Sequence, residues 1–192
     1  MLSKFFDGIF KTVLVVGAVF FIAFIAGAAI CGNADAGENA KMYEFLNSFF
    51  GSAKALDSHS TAMAALGDYL KIFGIIFVCA FFKPGAVVTS CVVARQGFVS
   101  GYTLASFFKV FSARGILAML CQLPELVLFA TVLLIFSSTS TKMSFFSSEN
   151  KKNFLLFFII FSCFCGSIFC ALGFFKGYLT TTFMKWASVK IL

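Results

Sequence analysis

Apolar positions in this chain fall into long unbroken blocks, not the short alternating runs that build strands. The first block, residues 12–30, is uncharged and close to the roughly 20 residues a helix needs to cross a bilayer. Ahead of it, residues 1–11 set Phe5, Phe6, Ile9 and Phe10 on one side and Lys4, Asp7 and Lys11 elsewhere, the pattern of a short interfacial helix. A second block covers 62–82, with Ser58, Ser60 and Thr61 as candidate N-caps and Lys83-Pro84-Gly85 as its stop. A third covers 86–108. A fourth, 116–136, follows the polar punctuation of 109–115 and runs into a Ser/Thr-rich turn region over 137–152. A fifth covers 153–175, after which Lys176, Tyr178, Lys185, Trp186 and Lys190 alternate as residues do at a headgroup interface. The expected fold is all-α: a polytopic membrane helical bundle of about five apolar helices, forming a single membrane domain over 1–192.

The one long polar stretch, 32–68, carries Lys41 and Lys54 against Asp35, Glu38, Glu44, Asp57 and Asp68. Acidic and poor in lysine, it reads as extracytoplasmic, with a cytoplasmic N-terminus in a multi-pass protein of the cell membrane. Within it, Met42, Phe45, Leu46, Phe49, Phe50, Ala53 and Leu56 recur at helical spacing and predict an amphipathic helix over 41–57. That stripe either packs down on the other helices and the membrane surface or receives an outside partner. In the second case Met42, Phe45, Phe49 and Phe50 are the partner-binding residues. A cleaved signal peptide ending near Ala34-Asp35-Ala36 is the rival reading of the first block, whose length exceeds the usual signal core.

Composition agrees with the block pattern. The chain is 60% hydrophobic and 12% charged, with 30 Phe among 192 residues, too little polar surface for a soluble domain. Its net charge of +7 is dispersed as ones and twos at block ends, unlike a phosphate-binding stripe, so nucleic acid is not an expected partner. Six of the seven cysteines lie within apolar blocks and read as small hydrophobes. His59 is the only histidine. That rules out a two-histidine metal site and weakens every triad, so neither enzyme activity nor a cofactor is expected.

Five crossings would leave six Lys/Arg on the inside and eight outside, against the positive-inside preference. A third block that dips in and returns would favour the inside instead. Its crossing is left open, and the side of the C-terminus with it.

Two charges interrupt the apolar blocks, Arg95 in the third and Glu125 in the fourth. An unpaired charge at mid-bilayer costs at least about 2.5–3.5 kcal/mol. If these blocks form an antiparallel hairpin turning near Ser112, Arg95 comes within a helical turn of Glu125. An ion pair between them is then one expectation, and a snorkelling Arg95 beside a protonated or solvated Glu125 the other. Gly97 and Gly101, like Gly173 and Gly177, give the Gly-x-x-x-Gly spacing that lets helix backbones approach closely.

From Phe81 to Ile135 the order of short motifs resembles the stage II sporulation protein M family. Arg95-Gln96-Gly97-Phe98-Val99-Ser100-Gly101-Tyr102-Thr103 matches its repeated Gly-aromatic-x-x-Gly-aromatic pattern. Ser112-Ala113-Arg114-Gly115-Ile116-Leu117 follows, and then Leu123-Pro124-Glu125. A second proline of the family pattern is missing where Val127 to Ala130 stand. The resemblance implies a non-enzymatic membrane scaffold in forespore engulfment during sporulation. Such a scaffold recruits and localises peptidoglycan hydrolases resembling stage II sporulation proteins D and P. It also implies a hairpin core made by Arg95, Gly97, Gly101, Pro124 and Glu125. The competing class is a small permease-like transporter subunit that forms a homo-oligomer. That class predicts a polar central path, whereas a scaffold predicts a dry bundle.

Overall fold

The structure is a computed structural model that describes residues 2–52, 57–112, 115–145, 151–183 and 185–186; at 2–7, 50, 52 and 151–154 it describes the backbone alone. All regular structure among these residues is helical. The elements are α1 (Leu2–Gly32), α2 (Ala36–Ser52), α3 (Ser58–Cys79), α4 (Gly85–Phe111), α5 (Gly115–Ser144) and α6 (Lys151–Phe175). α6 continues through a π-helical turn, Lys176–Thr180, to residue 183. The segments Gly8–Gly32, Ser58–Cys79, Gly115–Ser144 and Leu155–Phe183 are long and apolar enough to cross a membrane. Large apolar side chains such as Leu14, Phe21, Ile22, Ile160 and Phe164 stand on the outside of the bundle. That outward apolar face suits a hydrocarbon solvent and would be a liability in water.

The expected interfacial helix and first block are one continuous helix. The amphipathic faces expected of Phe5 and Phe6 lie outside the described side chains. α4 runs beside α1 in the same direction and along its length. Gly97 lies against the carbonyl of Phe20, Gly101 against that of Phe24, and Gly27 of α1 against that of Phe98. A Cβ at any of the three would be driven into a backbone oxygen. At the far end the Lys109 ammonium donates to the carbonyls of Cys31 (2.8 Å), Gly32 (3.0 Å) and Ala34 (3.1 Å). It thereby satisfies acceptors that the end of α1 leaves orphaned. The third block is thus an unbroken helix of 27 residues, about 40 Å at 1.5 Å per residue. It does not dip and return. Arg95 and Gln96 dilute its apolar character without shortening it.

α5 is the central element, touching α1, α3, α4 and α6. It continues past 136, so the Ser/Thr-rich stretch expected as a turn is helical through Ser144, and Ser137, Ser138, Thr139 and Ser140 are all buried. The hydroxyls of the last three are satisfied by carbonyls, while that of Ser137 has no partner among the described residues. Ser138 donates to Leu134 O (2.6 Å), Thr139 to Ile135 O (2.9 Å), and Ser140 across to Ile76 O of α3 (2.8 Å). Around this level α3, α5 and α6 interdigitate rings. Phe73 stacks on Phe136 at 4.8 Å and Phe77 on Phe158 at 5.8 Å, and Phe169 closes edge-on against Phe136. Phe136, Phe158 and Phe169 are fully buried.

The cap of α3 is Asp57, not the serines or threonine after it. Its carboxylate accepts from the backbone N–H groups of Ser60 and His59, which hold its pKa below the usual carboxylate range. Ser60 and Thr61 point their hydroxyls back to the Asp57 carbonyl.

Candidate functional site

Glu125 is 3% exposed on α5, nearly three turns below its start and on the face turned towards α3. A charge so placed needs partners, and the chain supplies two. Tyr69 of α3, itself buried and stacked on Phe129 at 4.7 Å, donates its hydroxyl to Glu125 Oε1. The Lys176 ammonium lies 3.1 Å from the same oxygen, 3.5 Å from the Tyr69 hydroxyl and 5.4 Å from the centre of the Tyr69 ring. Lys176 opens the π-helical turn. The wider turn shifts the register of the helix there, an arrangement often found at functional sites. Gly177 next to it lies hard against Ala62, where no Cβ would fit, so this end of the chain sits close on α3.

The cluster uses only one of the two carboxylate oxygens. Glu125 Oε2 is buried with no hydrogen-bond partner among the described residues, and so is Oε1 of Gln122, one turn earlier on the same face. Both residues line a cavity of ≈ 110 Å³ completed by Gln96, Ser100 and Thr103 of α4. A second cavity of ≈ 280 Å³ shares Thr103, Gln122 and Lys176 with the first and is roofed by Phe45, Leu46 and Phe49 of α2. The interior at this level is therefore polar and hollow, where a scaffold was expected to be dry. It is not a path either. Phe129 floors the first cavity, and the packed rings of Phe136, Phe158 and Phe169 lie beneath it.

The structure redistributes the residues expected to act together. Arg95 is exposed, with no partner among the described residues, and Glu125 is paired with Lys176 instead. α4 and α5 do form the antiparallel hairpin, turning at Ser112 with φ 50°. However, the step of 100° per residue aims Gln96 at the cavity and leaves Arg95 outside. Gly97 and Gly101 are buried against α1, not within the hairpin. Pro124 stands exposed inside a helix that runs on past it, so it is not a hairpin-core residue.

On α2, Met42 and Phe49 pack with buried Leu46 onto Phe107 and Ala118 of α4 and α5. Both are thus half-buried against the protein's own helices. Phe45 is 68% and Tyr43 53% exposed. The side chain of Phe50 and residues 53–56, expected in the same stripe, lie outside what is described.

Sequence reasoning missed Lys176 and Tyr69. The tail grouping put Lys176 among headgroup anchors. In the structure the helix that carries the last apolar span runs on to Phe183, which makes Lys176 a residue inside it. Chemically the cluster can bind and orient charge. Among the described residues no group of three metal-ligating side chains forms. Comparisons with protein-family models, curated proteins and solved structures find no match to this chain.

Proposed function

We propose that this chain is a non-enzymatic membrane scaffold subunit. In this reading it holds peptidoglycan-degrading partners at the cell membrane, as the family resemblance implies for forespore engulfment. The N-terminus is cytoplasmic, and α2 lies outside on the acidic side. The observation that carries the reading is the docking of α2. Leu46 fixes one face of this helix onto the α4–α5 hairpin, while Tyr43 and Phe45 keep more than half of their surface exposed. Exposed aromatic side chains held on a rigid support are the usual anchors of protein interfaces.

The permease-like reading draws on the polar cavities, but the ring-packed layer beneath them offers a solute no way through. Affinity capture of the full chain from native membranes tests the scaffold. Wild type recovers cell-wall hydrolases, and a Tyr43→Ser/Phe45→Ser variant recovers less than about a tenth as much, the size expected when interface anchors are removed. Recovery of a nucleotide-binding subunit in their place, or of hydrolases equally by both forms, overturns it.

A further inference from the structure

We propose that the linked cavities between Glu125 and α2 form a binding site for a small zwitterion, an α-amino acid with an apolar side chain. This goes beyond the scaffold reading and does not depend on it. Four observations converge on the ligand class.

First, the inner cavity holds buried acceptors that make no hydrogen bond among the described residues. Glu125 Oε2 and Gln122 Oε1 are unpartnered, and Thr103 has committed its proton to the Val99 carbonyl at 2.8 Å, leaving only lone pairs. Buried acceptors left this way cost free energy until a donor arrives. An ammonium group brings three.

Second, a lone cation would leave the site with net positive charge, because the Lys176 ammonium already neutralises Glu125 from 3.1 Å away. A ligand that brings its own carboxylate avoids this. Its ammonium meets Glu125 Oε2 and its carboxylate meets Lys176. The four charges alternate in sign around a ring, with charge-assisted contacts of about 2.7–2.9 Å each.

Third, Lys176 has room for that carboxylate. Its side chain is 36% exposed and borders both cavities. On the outer side the buried Thr180 hydroxyl is another group with no partner among the described residues.

Fourth, the outer cavity is walled by Phe45, Leu46, Phe49 and Phe107. Apolar walls of this kind suit an aliphatic substituent. The ligand would thus sit beneath α2 and be roofed by it.

The test uses the full chain in nanodiscs, with tritiated L-leucine as probe. Saturable binding is expected. Isoamylamine, which lacks the carboxylate, and 4-methylvalerate, which lacks the ammonium, should each compete at least about tenfold more weakly. Glu125→Gln and Lys176→Met should each weaken L-leucine binding by a similar factor, but both also break the buried ion pair and so act on folding.

Gln122→Leu removes that difficulty. It deletes an unpartnered polar group, so thermal stability should hold or rise, while L-leucine affinity falls about tenfold. Several outcomes overturn the proposal: no saturable binding, isoamylamine binding as tightly as L-leucine, stabilisation by sodium chloride alone, or affinity indifferent to Gln122→Leu.

Discussion

The α1–α4 pair and the α3–α5–α6 group solve the same problem in opposite ways. Lipid provides no hydrophobic drive for helices to associate, so contact must come from packing and hydrogen bonds. In the first pair, glycines remove side chains altogether and bring backbone against backbone at Phe20, Phe24 and Phe98. In the second group large rings interlock, and glycines bring helices together only at one end, where Gly173 and Gly177 meet Leu66 and Ala62. Where the rings stop, above Phe129, the bundle leaves the cavities bordered by Glu125 and Lys176.

The contrast is sharpest at single glycines. Gly101→Ala should destabilise the protein by about 4 kcal/mol or more, or prevent folding, since the new methyl meets the Phe24 carbonyl and neither helix can retreat alone. Gly166→Ala in α6 should change stability by less than about 0.5 kcal/mol. Its methyl meets only the Phe73 ring at 3.4 Å, an ordinary contact with a side chain that can shift. Thermal unfolding of the two variants in the same detergent checks the pair. Equal effects would mean the seam is no tighter than the aromatic region.

A smaller effect is expected inside the ring-packed half. Lys176→Met strands the Glu125 carboxylate and should cost roughly 2–3 kcal/mol. That is less than the ~3–5 kcal/mol of a fully buried pair, because the lysine is 36% exposed. Adding Glu125→Gln should restore most of the loss, since the amide oxygen still accepts from Tyr69 and no lone charge remains. A double variant that unfolds at the temperature of Lys176→Met alone would show that the lysine acts through packing and not through charge.

How much of this was legible depended on what each signal measures. Block lengths located the five long helices because hydropathy reports solvent, and the solvent here is lipid. The Gly97–Gly101 spacing announced a close contact but not its partner. Four-residue spacing marks one face of one helix, and whether that face meets α1 or α5 is a matter of tertiary arrangement. The Ser/Thr run over 137–144 misled because its side chains resemble those of a turn. Inside a bundle the same hydroxyls bond back to the helix carbonyls and allow burial. Leu46 was correctly placed on the apolar stripe of α2, but the stripe alone could not show that Met42 and Phe49 would be half-buried against the protein's own helices. The candidate site was half visible. Glu125 stood out as a carboxylate in an apolar run, whereas its lysine lay 51 positions further on (176 − 125), just past the apparent end of the last block.

Arg95 separates the legible from the real most cleanly. Proximity along the hairpin makes it the natural counter-ion of Glu125, yet the structure turns it outward and gives the role to Lys176. If the outward placement is right, Arg95→Gln should alter the unfolding temperature of the purified protein by an amount equivalent to less than about 0.5 kcal/mol. Combined with Glu125→Gln, its effect should simply add, because residues that share no partner do not couple. A coupling of about 1 kcal/mol or more between the two would place them in contact after all and require α4 to rotate towards the cavity. That rotation would also pull Gly97 and Gly101 off α1, so the seam variants would lose their severity in the same protein.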